Sequence, residues 1–167
     1  MRIRPMQPVD LPAVHALQCR AYPAGYHESQ QTLASHLAAG PELCFVAEQA
    51  GALAGYVFAH PWAGDPPALF AQLPMERAPD HVFLHDLAVC PDCRGLSVGP
   101  QLFAAVESAA RHTTHVELRL VAVGRASGFW ARLGFGPMQG VLPESYGEAV
   151  RMRRSLSRIS PSPELQG

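Results

Sequence analysis

The spacing of hydrophobic positions along the chain predicts a mixed set of helices and strands. Apolar residues recur at helical intervals in four stretches, which predict helices at residues 11–21, 29–40, 102–111 and 126–133. Short apolar or alternating runs predict strands at residues 2–5, 43–48, 53–60, 81–89, 116–123 and 149–154. The order is one strand, two helices, three strands and then helix, strand, helix and strand, which predicts a mixed α/β (α+β) domain.

Two segments show neither the helical spacing of apolar residues nor the alternation that is typical of a strand. Residues 61–80 are rich in proline and predict a long loop, a feature that is often functional inside a compact domain. The C-terminal segment is polar and carries two Ser-Pro pairs. We therefore expect one domain over residues 1–156, followed by a tail over residues 157–167 that could pack on the second subunit of a homodimer.

Composition excludes several partners. The chain is 48% hydrophobic and 16% charged, with a formal net charge of -1, so nothing in it points to nucleic acid or an acidic membrane surface. No window approaches the roughly 18 consecutive apolar residues of a membrane span. Residues 1–5 lack the apolar region of a signal peptide. We expect a cytoplasmic protein.

The types of residue present exclude several mechanisms. All 13 residues in the Lys+Arg count are arginine, so the chain lacks the lysine of a P-loop, a kinase site or a pyridoxal phosphate Schiff base. The G-x-G-x-x-G turn of a nicotinamide-dependent oxidoreductase is missing as well. Cys90 and Cys93 form a C-x-x-C pair, whereas Cys19 and Cys44 are isolated. One pair cannot close a tetrahedral zinc site, and we expect no metal.

Three motifs carry a resemblance to a known family. Residues 87–99, L-A-V-C-P-D-C-R-G-L-S-V-G, resemble the acetyl-coenzyme A (acetyl-CoA) loop of the GNAT N-acetyltransferases, R-G-x-G-x-G or R-G-x-G-x-A after a strand. Residues 129–135, F-W-A-R-L-G-F, resemble the F-Y-x-x-x-G-F helix end of that family. Residues 148–152, E-A-V-R-M, resemble its closing D-A-x-x-M strand. The motifs follow in the family's order, and the resemblance covers roughly residues 2–156.

Within this superfamily the chain is most similar to the arylalkylamine (serotonin) N-acetyltransferases. Residues 83–89, F-L-H-D-L-A-V, resemble their H-L-H-A-L-A-V strand, with His85 retained and Phe83 in place of the first histidine. Residues 40–43 and 54–58 also fit that subgroup. The resemblance implies a mixed, mostly antiparallel central sheet that is flanked by helices and splayed at the acetyl-CoA site.

The resemblance also places the cofactor, acetyl-CoA, on the glycine-containing turn. Backbone N–H groups of residues 95–99 can hold a pyrophosphate without lysine, and Arg94 can add a charged contact. The strand end can pair with the pantetheine amides, and the N–H of Val89 can hold the thioester oxygen. The expected cofactor-binding residues are Leu87, Val89, Arg94, Gly95, Leu96, Ser97, Val98, Gly99, Phe129 and Trp130.

Two residues depart from the family pattern. Ser97 stands where glycine is usual, although it keeps the N–H group. Trp130 stands where most members have a tyrosine that is thought to protonate the leaving thiolate, and an indole N–H is too weak an acid for that step. Either Tyr146 supplies the proton, or the thiolate leaves unassisted.

His85 is the candidate general base, because an imidazole titrates near neutral pH and can take a proton from an ammonium. A histidine hydrogen-bonded within the sheet is the alternative interpretation. Strict alternation along the strand would put Asp86 on the opposite face, as a structural partner. Cys90 lies close to the loop and keeps a covalent acetyl-enzyme route conceivable.

The acceptor is expected to be a small amine. Tyr22, Tyr26, Trp62 and Phe70 lie in the two loops that cover the acceptor site in the family, and their faces suit an apolar body and an ammonium; ordinary core packing is the alternative for each. The sequence predicts acetyl transfer to a primary amine by direct attack in a ternary complex. The alternative is an acyl-CoA-binding module with little or no turnover, which the two departures motivate.

Overall fold

The computed structural model describes residues 1–71, 73 and 78–157. Its strands are β1 (Arg2–Pro5), β2 (Phe45–Gln49), β3 (Ala52–Trp62), β4 (His81–Val89), β5 (Glu117–Val123), β6 (Gly136–Pro137) and β7 (Ala149–Ser155). Its helices are α1 (Leu11–Ala21), α2 (Gln30–Ala39), α3 (Val98–Ala110) and α4 (Ser127–Arg132). Part of the predicted loop and nearly all of the predicted tail lie outside the described residues.

The strands form one sheet in the order β1-β2-β3-β4-β5-β7-β6. Neighbours pair antiparallel except β4 and β5, which are parallel. The mixed, mostly antiparallel fold class is thereby confirmed, and so are the predicted helices and strands. Among the boundaries that differ, β3 runs through Pro61 to Trp62, where a loop was predicted, and α3 begins at Val98 instead of residue 102. The two-residue β6 was not predicted.

Helices cover both faces of the sheet, which explains the almost continuous apolar sequence of β3. Tyr56 and Phe58 of β3 pack into a core with α1 and α2. Val57 and Ala59, which alternate with them, pack into a second core with α3. The site described below lies between these layers. No helix in the described part of the chain has the length and hydropathy needed to span a membrane.

The sheet opens between β4 and β5. Their pairing consists of Val82, Phe83 and Leu84 of β4 against residues 118–120 of β5. Both strands continue past these pairs, so their carboxyl-terminal halves separate and the predicted splay is present. On the other side of β4, Phe58 pairs with Asp86 whereas its neighbour Ala59 pairs with Leu84. His85 is therefore the extra residue of a β-bulge, at the point where the sheet begins to open.

Candidate active site

A surface groove of about 440 Å³ lies beside the N-terminus of α3. It is lined by Leu87, Val89, Cys93, Arg94, Gly95, Ser97, Val98, Gly99, Pro100 and Phe129. All but two of the predicted cofactor-binding residues are in this lining. The exceptions are Leu96, whose side chain points to solvent so that only its backbone N–H can serve a ligand, and Trp130, which is buried in the core against Phe103 and Phe135 instead of lining the groove.

The backbone of the turn is shaped for a close approach to a ligand. Gly95 has φ +84° and Ser97 has φ +58°, so the serine occupies a left-handed conformation that usually selects glycine. A Cβ atom on Gly99 would lie 3.0 Å from Cζ of Phe129, so the absent side chain lets that ring reach the groove. The first N–H groups of α3 have no partner within the helix. These features fit a pyrophosphate of the kind that acetyl-CoA carries.

Backbone groups of β4 also face the gap between β4 and β5. The N–H of Cys90 donates to the carbonyl of Ala54 at 2.8 Å, which makes Gly55 and Val89 a non-hydrogen-bonded antiparallel pair. The N–H and C=O of Val89 therefore point away from β3 and toward the gap. The same orientation holds two residues earlier, where the Leu87 carbonyl oxygen lies 2.8 Å from the Tyr22 hydroxyl oxygen. This edge can pair with an extended amide chain.

A cavity of about 200 Å³ adjoins the groove, and Leu87 and Phe129 line both. The other lining residues are Gln18, Tyr22, Tyr26, Glu28, Leu69, Leu84, His85, Asp86, Leu120, Val121, Val123, Ala126, Trp130 and Tyr146. The cavity therefore opens toward the groove and carries polar groups on an otherwise largely aromatic and aliphatic wall.

Two of the four residues predicted to contact the acceptor are in that wall. Tyr22 and Tyr26 line the cavity, with ring centroids 6.3 Å apart. Trp62 does not: because β3 extends further than predicted, its ring packs on His60 and its indole donates to the Asp65 carbonyl. Phe70 does not either, since its side chain is 45% exposed. The predicted roles of Trp62 and Phe70 are therefore corrected.

The bulge brings His85 and Asp86 to the same face of the sheet. Both side chains line the cavity on the side of α1 and α2, so the predicted opposite orientation of Asp86 is wrong. Alternation fails here because an extra residue in β4 shifts the pleat by one position. The consequence is a pair of adjacent titratable groups at the mouth of the splayed sheet.

Asp86 is half-buried and held by three donors. The Tyr56 hydroxyl lies 2.6 Å from Oδ2, the Gln18 amide 3.2 Å from Oδ2, and the Tyr22 hydroxyl 2.8 Å from Oδ1. Burial raises the pKa of Asp86 to about 6, although these hydrogen bonds favour the ionised form. The carboxylate is thus ionised at neutral pH and protonated in mild acid.

Glu28 forms a second acidic group close to His85. Its Oε2 lies 3.9 Å from His85 Nε2 and 3.9 Å from His36 Nε2, and the two imidazole nitrogens have no hydrogen-bond partner among the described residues. Burial raises the pKa of Glu28 and lowers that of His85 to about 4. His60 completes the group, with Nε2 3.4 Å from His85 Nδ1.

Glu28, His36 and His85 place three potential ligand atoms within 4.8 Å of one another. Tetrahedral zinc with bonds of about 2.0 Å needs ligand atoms roughly 3.3 Å apart, which is closer than the two separations of 3.9 Å. An atom about 2.8 Å from two of them would instead form ordinary hydrogen bonds. The spacing suits a water molecule or an ammonium nitrogen.

Tyr146 lies in the cavity wall, but its hydroxyl is engaged. It donates to the Pro67 carbonyl at 2.7 Å, and burial raises its pKa above the usual value. Next to it, Ser145 Oγ accepts from the N–H of Leu69. These two contacts fasten the segment 67–69 across the cavity. The geometry makes Tyr146 an anchor for this segment and does not favour the predicted role of proton donor.

Several polar residues of the site were not predicted from the sequence: Gln18, His36, His60 and the site role of Glu28. They come from α1, α2, β3 and the segment before α2, and only the tertiary structure brings them together. The sequence contained one signal for two of these residues, because Gln18 and His36 fall on the buried sides of amphipathic helices. Buried polar residues at such positions call for a partner.

Comparison with known proteins identifies the family. Residues 11–135 match the model described as "Acetyltransferase (GNAT) family", and the chain therefore belongs to the GNAT acetyltransferase family. A sequence search of curated proteins found no match.

Solved structures share the fold over nearly the whole chain. The GNAT-like decarboxylase GphF in complex with isobutyryl-CoA is 23% identical, with a TM-score of 0.76 over 94% of this chain and 100% of that one. The loading GNATL domain of CurA from Lyngbya majuscula is 12% identical, with a TM-score of 0.76 over 93% and 97%. The ribosomal-protein-S18-alanine N-acetyltransferase from Escherichia coli is 20% identical, with a TM-score of 0.68 over 96% and 97%. These similarities establish a GNAT fold.

Proposed function

We propose that this protein transfers the acetyl group of acetyl-CoA to the primary amine of a small molecule with an apolar or aromatic body, by direct attack in a ternary complex. The observation that carries the proposal is the shared wall formed by Leu87 and Phe129. A thioester at the inner end of the groove would meet an amine in the cavity at this wall. The substrate class is that of the arylalkylamine N-acetyltransferases, which the strand around His85 resembles.

The groove supports acetyl-CoA as the donor. The N–H groups of residues 95–99 would hold the pyrophosphate, and Arg94 would add a charge-assisted contact. The backbone edge of β4 that faces the gap, above all the N–H and C=O of Val89, would pair with the pantetheine amides. Because the N–H of Val89 points into the gap, it would stabilise the negative charge on the thioester oxygen during attack. GphF, which shares this fold, forms a complex with isobutyryl-CoA, and this agrees with the proposed use of the groove.

The cavity supports a small cationic acceptor. Glu28 and Asp86 would attract the ammonium, and the aromatic wall would hold an apolar body. A cavity of about 200 Å³ is smaller than the roughly 300 Å³ at which drug-sized ligand pockets begin. The segment fastened by Tyr146 restricts access further, which disfavours a polypeptide.

Proton transfer follows from the position of His85. The ammonium would lose one proton to the unpartnered Nε2, and the Glu28 carboxylate would stabilise the resulting imidazolium. The amine nitrogen would then attack the carbonyl carbon, and the C–S bond would break. The nitrogen of the intermediate still carries a second proton, and this proton would go to the departing thiolate. No separate acid is needed, which agrees with Trp130 in the place of the family's tyrosine.

The test is release of free thiol from acetyl-CoA in the presence of phenethylamine- and tryptamine-type amines, spermidine, an aminoglycoside, a lysine peptide and a peptide with a free N-terminus. We expect turnover with the aromatic amines. His85→Gln should lower kcat/KM by about 10²-fold and leave acetyl-CoA affinity unchanged. Asp86→Asn should mainly raise KM for the amine. The matched control is Asp92→Asn, because the Asp92 side chain is 81% exposed and lies outside the cavity.

Each outcome is informative. Preference for spermidine, the aminoglycoside or either peptide would contradict the substrate class and leave acetyl transfer standing. Tight binding of acetyl-CoA without turnover on any amine would favour the alternative, an acyl-CoA-binding module. Wild-type activity of the His85 variant would return that histidine to a structural role.

A further inference from the structure

A chain of polar atoms leads from the backbone of β3 to the acceptor cavity. His60 Nδ1 lies 3.0 Å from the carbonyl oxygen of Pro61, and His60 Nε2 lies 3.4 Å from His85 Nδ1. His60 is completely buried, and its ring is flanked by Trp62 and Phe83. The positions of the ring protons on His60 and His85 follow from which of these atoms can donate a hydrogen bond.

The carbonyl of Pro61 can only accept, so His60 must carry a proton on Nδ1. Burial lowers the pKa of His60 to about 3, so the ring is neutral at neutral pH and its Nε2 has a lone pair. The hydrogen bond between the two rings must then be donated by His85 Nδ1. Burial also lowers the pKa of His85 to about 4. A neutral ring with a proton on Nδ1 has none on Nε2.

His85 lines the cavity, and its bare Nε2 lies 3.9 Å from Oε2 of Glu28, another residue of the cavity wall. Titratable groups approach the ring from three neighbouring elements: His60 from β3, His36 from α2 and Glu28 from the segment before α2. On β4 itself, Asp86 is the next residue along the strand. None of the described residues donates a hydrogen bond to Nε2. This nitrogen is therefore free to accept a proton from a ligand.

We propose that His60 is a positioning residue that holds His85 in the Nδ1–H tautomer, so that the lone pair on Nε2 faces the acceptor amine. The catalytic meaning rests on the proposed function, whereas the tautomer is a property of the protein alone. When Nε2 takes a proton, Nδ1–H continues to donate to His60, so the hydrogen bond persists through the step. The ring also keeps its orientation in both protonation states.

The test is long-range ¹H–¹⁵N NMR of the histidine rings at pH 7.5, which distinguishes protonated from unprotonated ring nitrogens. We expect the His85 signal, assigned by its loss in His85→Gln, to show a proton on Nδ1 and none on Nε2. His60→Phe keeps the ring volume and removes the acceptor, so this pattern should be lost. His60→Gln offers an amide oxygen to Nδ1–H and should restore it. Phe83→Leu is the packing control, because it alters a neighbour of both rings without removing a hydrogen bond.

Kinetics supply the second measurement. His60→Phe should lower kcat by about tenfold with an unchanged KM for acetyl-CoA, and His60→Gln should recover most of it. A proton on His85 Nε2 in the wild type would overturn the inference, and so would a wild-type tautomer in His60→Phe. If the NMR pattern is as expected but no amine is acetylated, the proposed function fails while the assignment of the tautomer stands.

Discussion

Lowering the pH from 6.5 to 5 should destabilise this protein strongly, because burial lowers the pKa of four histidines, His36, His60, His81 and His85. Burial lowers the pKa of His36 to about 3, of His60 to about 3 and of His85 to about 4. In the unfolded chain these rings titrate near 6.5. The unfolded state therefore binds more protons between about pH 4 and 6.5, and stability is lost as the pH falls through that window.

The magnitude follows from the proton count. At pH 6.5 an unfolded imidazole is already about half protonated, so acidification to pH 5 costs somewhat less than about 2 kcal/mol per ring and about 5 kcal/mol for His36, His60 and His85 together. Asp86 acts in the opposite direction, because its raised pKa of about 6 lets the folded state bind a proton first, and this returns about 1 kcal/mol. The net loss from these four groups, about 4 kcal/mol, is a large fraction of the stability of an ordinary domain.

One variant isolates the contribution of a single histidine to the loss of stability in acid. His36 is fully buried, and neither of its ring nitrogens has a hydrogen-bond partner among the described residues. His36→Leu should preserve stability at pH 7.5 and reduce the loss between pH 6.5 and 5 by about 2 kcal/mol. The matched control is His112→Leu, because His112 is exposed.

The assay is urea unfolding followed by tryptophan fluorescence at a series of pH values, since the linear extrapolation yields the free energy of unfolding at each. If wild type and His36→Leu lose stability equally on acidification, His36 is not held neutral by the fold. If the control changes the slope as much as His36→Leu does, the effect is not specific to the buried ring.

Three further variants test the groove and the aromatic core beside it. Gly99→Glu should abolish binding of coenzyme A by calorimetry, because it places a side chain against Phe129 and a negative charge beside the pyrophosphate; Gly25→Glu is the control, since nothing lies within 4 Å of a Cβ there. Ser97→Gly should raise stability by up to about 1 kcal/mol by relieving a left-handed serine, without weakening coenzyme A binding, and a lower melting temperature would contradict this. Trp130→Tyr should cost about 1–3 kcal/mol in unfolding measurements, because it leaves space in a buried aromatic cluster, and an unchanged stability would count against a packing role.

The sequence was sufficient to predict the helices, the strands and most of the groove. Each depends on local information. The spacing of apolar residues predicts the helices and strands, the residue types at turns predict where they end, and one contiguous motif predicts the groove. The turn from Arg94 to Gly99 is one segment of chain, so its residue types and its geometry are read together. Trp130 was misplaced because membership in a motif does not determine which way a side chain points.

The acceptor cavity was harder to predict because it depends on register and on distant elements. The alternation rule placed Asp86 on the wrong face, since the bulge is a property of the pairing between β3 and β4. A hint exists in hindsight: His85 and Asp86 are adjacent polar residues in a strand whose neighbours are apolar on both faces. No periodicity could have shown that His60 and His36 would meet His85.

The bulge connects the two halves of the site. An extra residue bends a strand and increases its twist, and here it falls directly after Leu84, the last residue of β4 that pairs with β5. The strand therefore leaves its parallel neighbour at the residue where its side chains change face. Beyond the bulge, the N–H of Val89 points into the gap that opens between β4 and β5, and the bulge itself brings the side chains of His85 and Asp86 to one face. In the proposed function, one irregularity in the sheet would therefore help to place both the thioester and the proton acceptor.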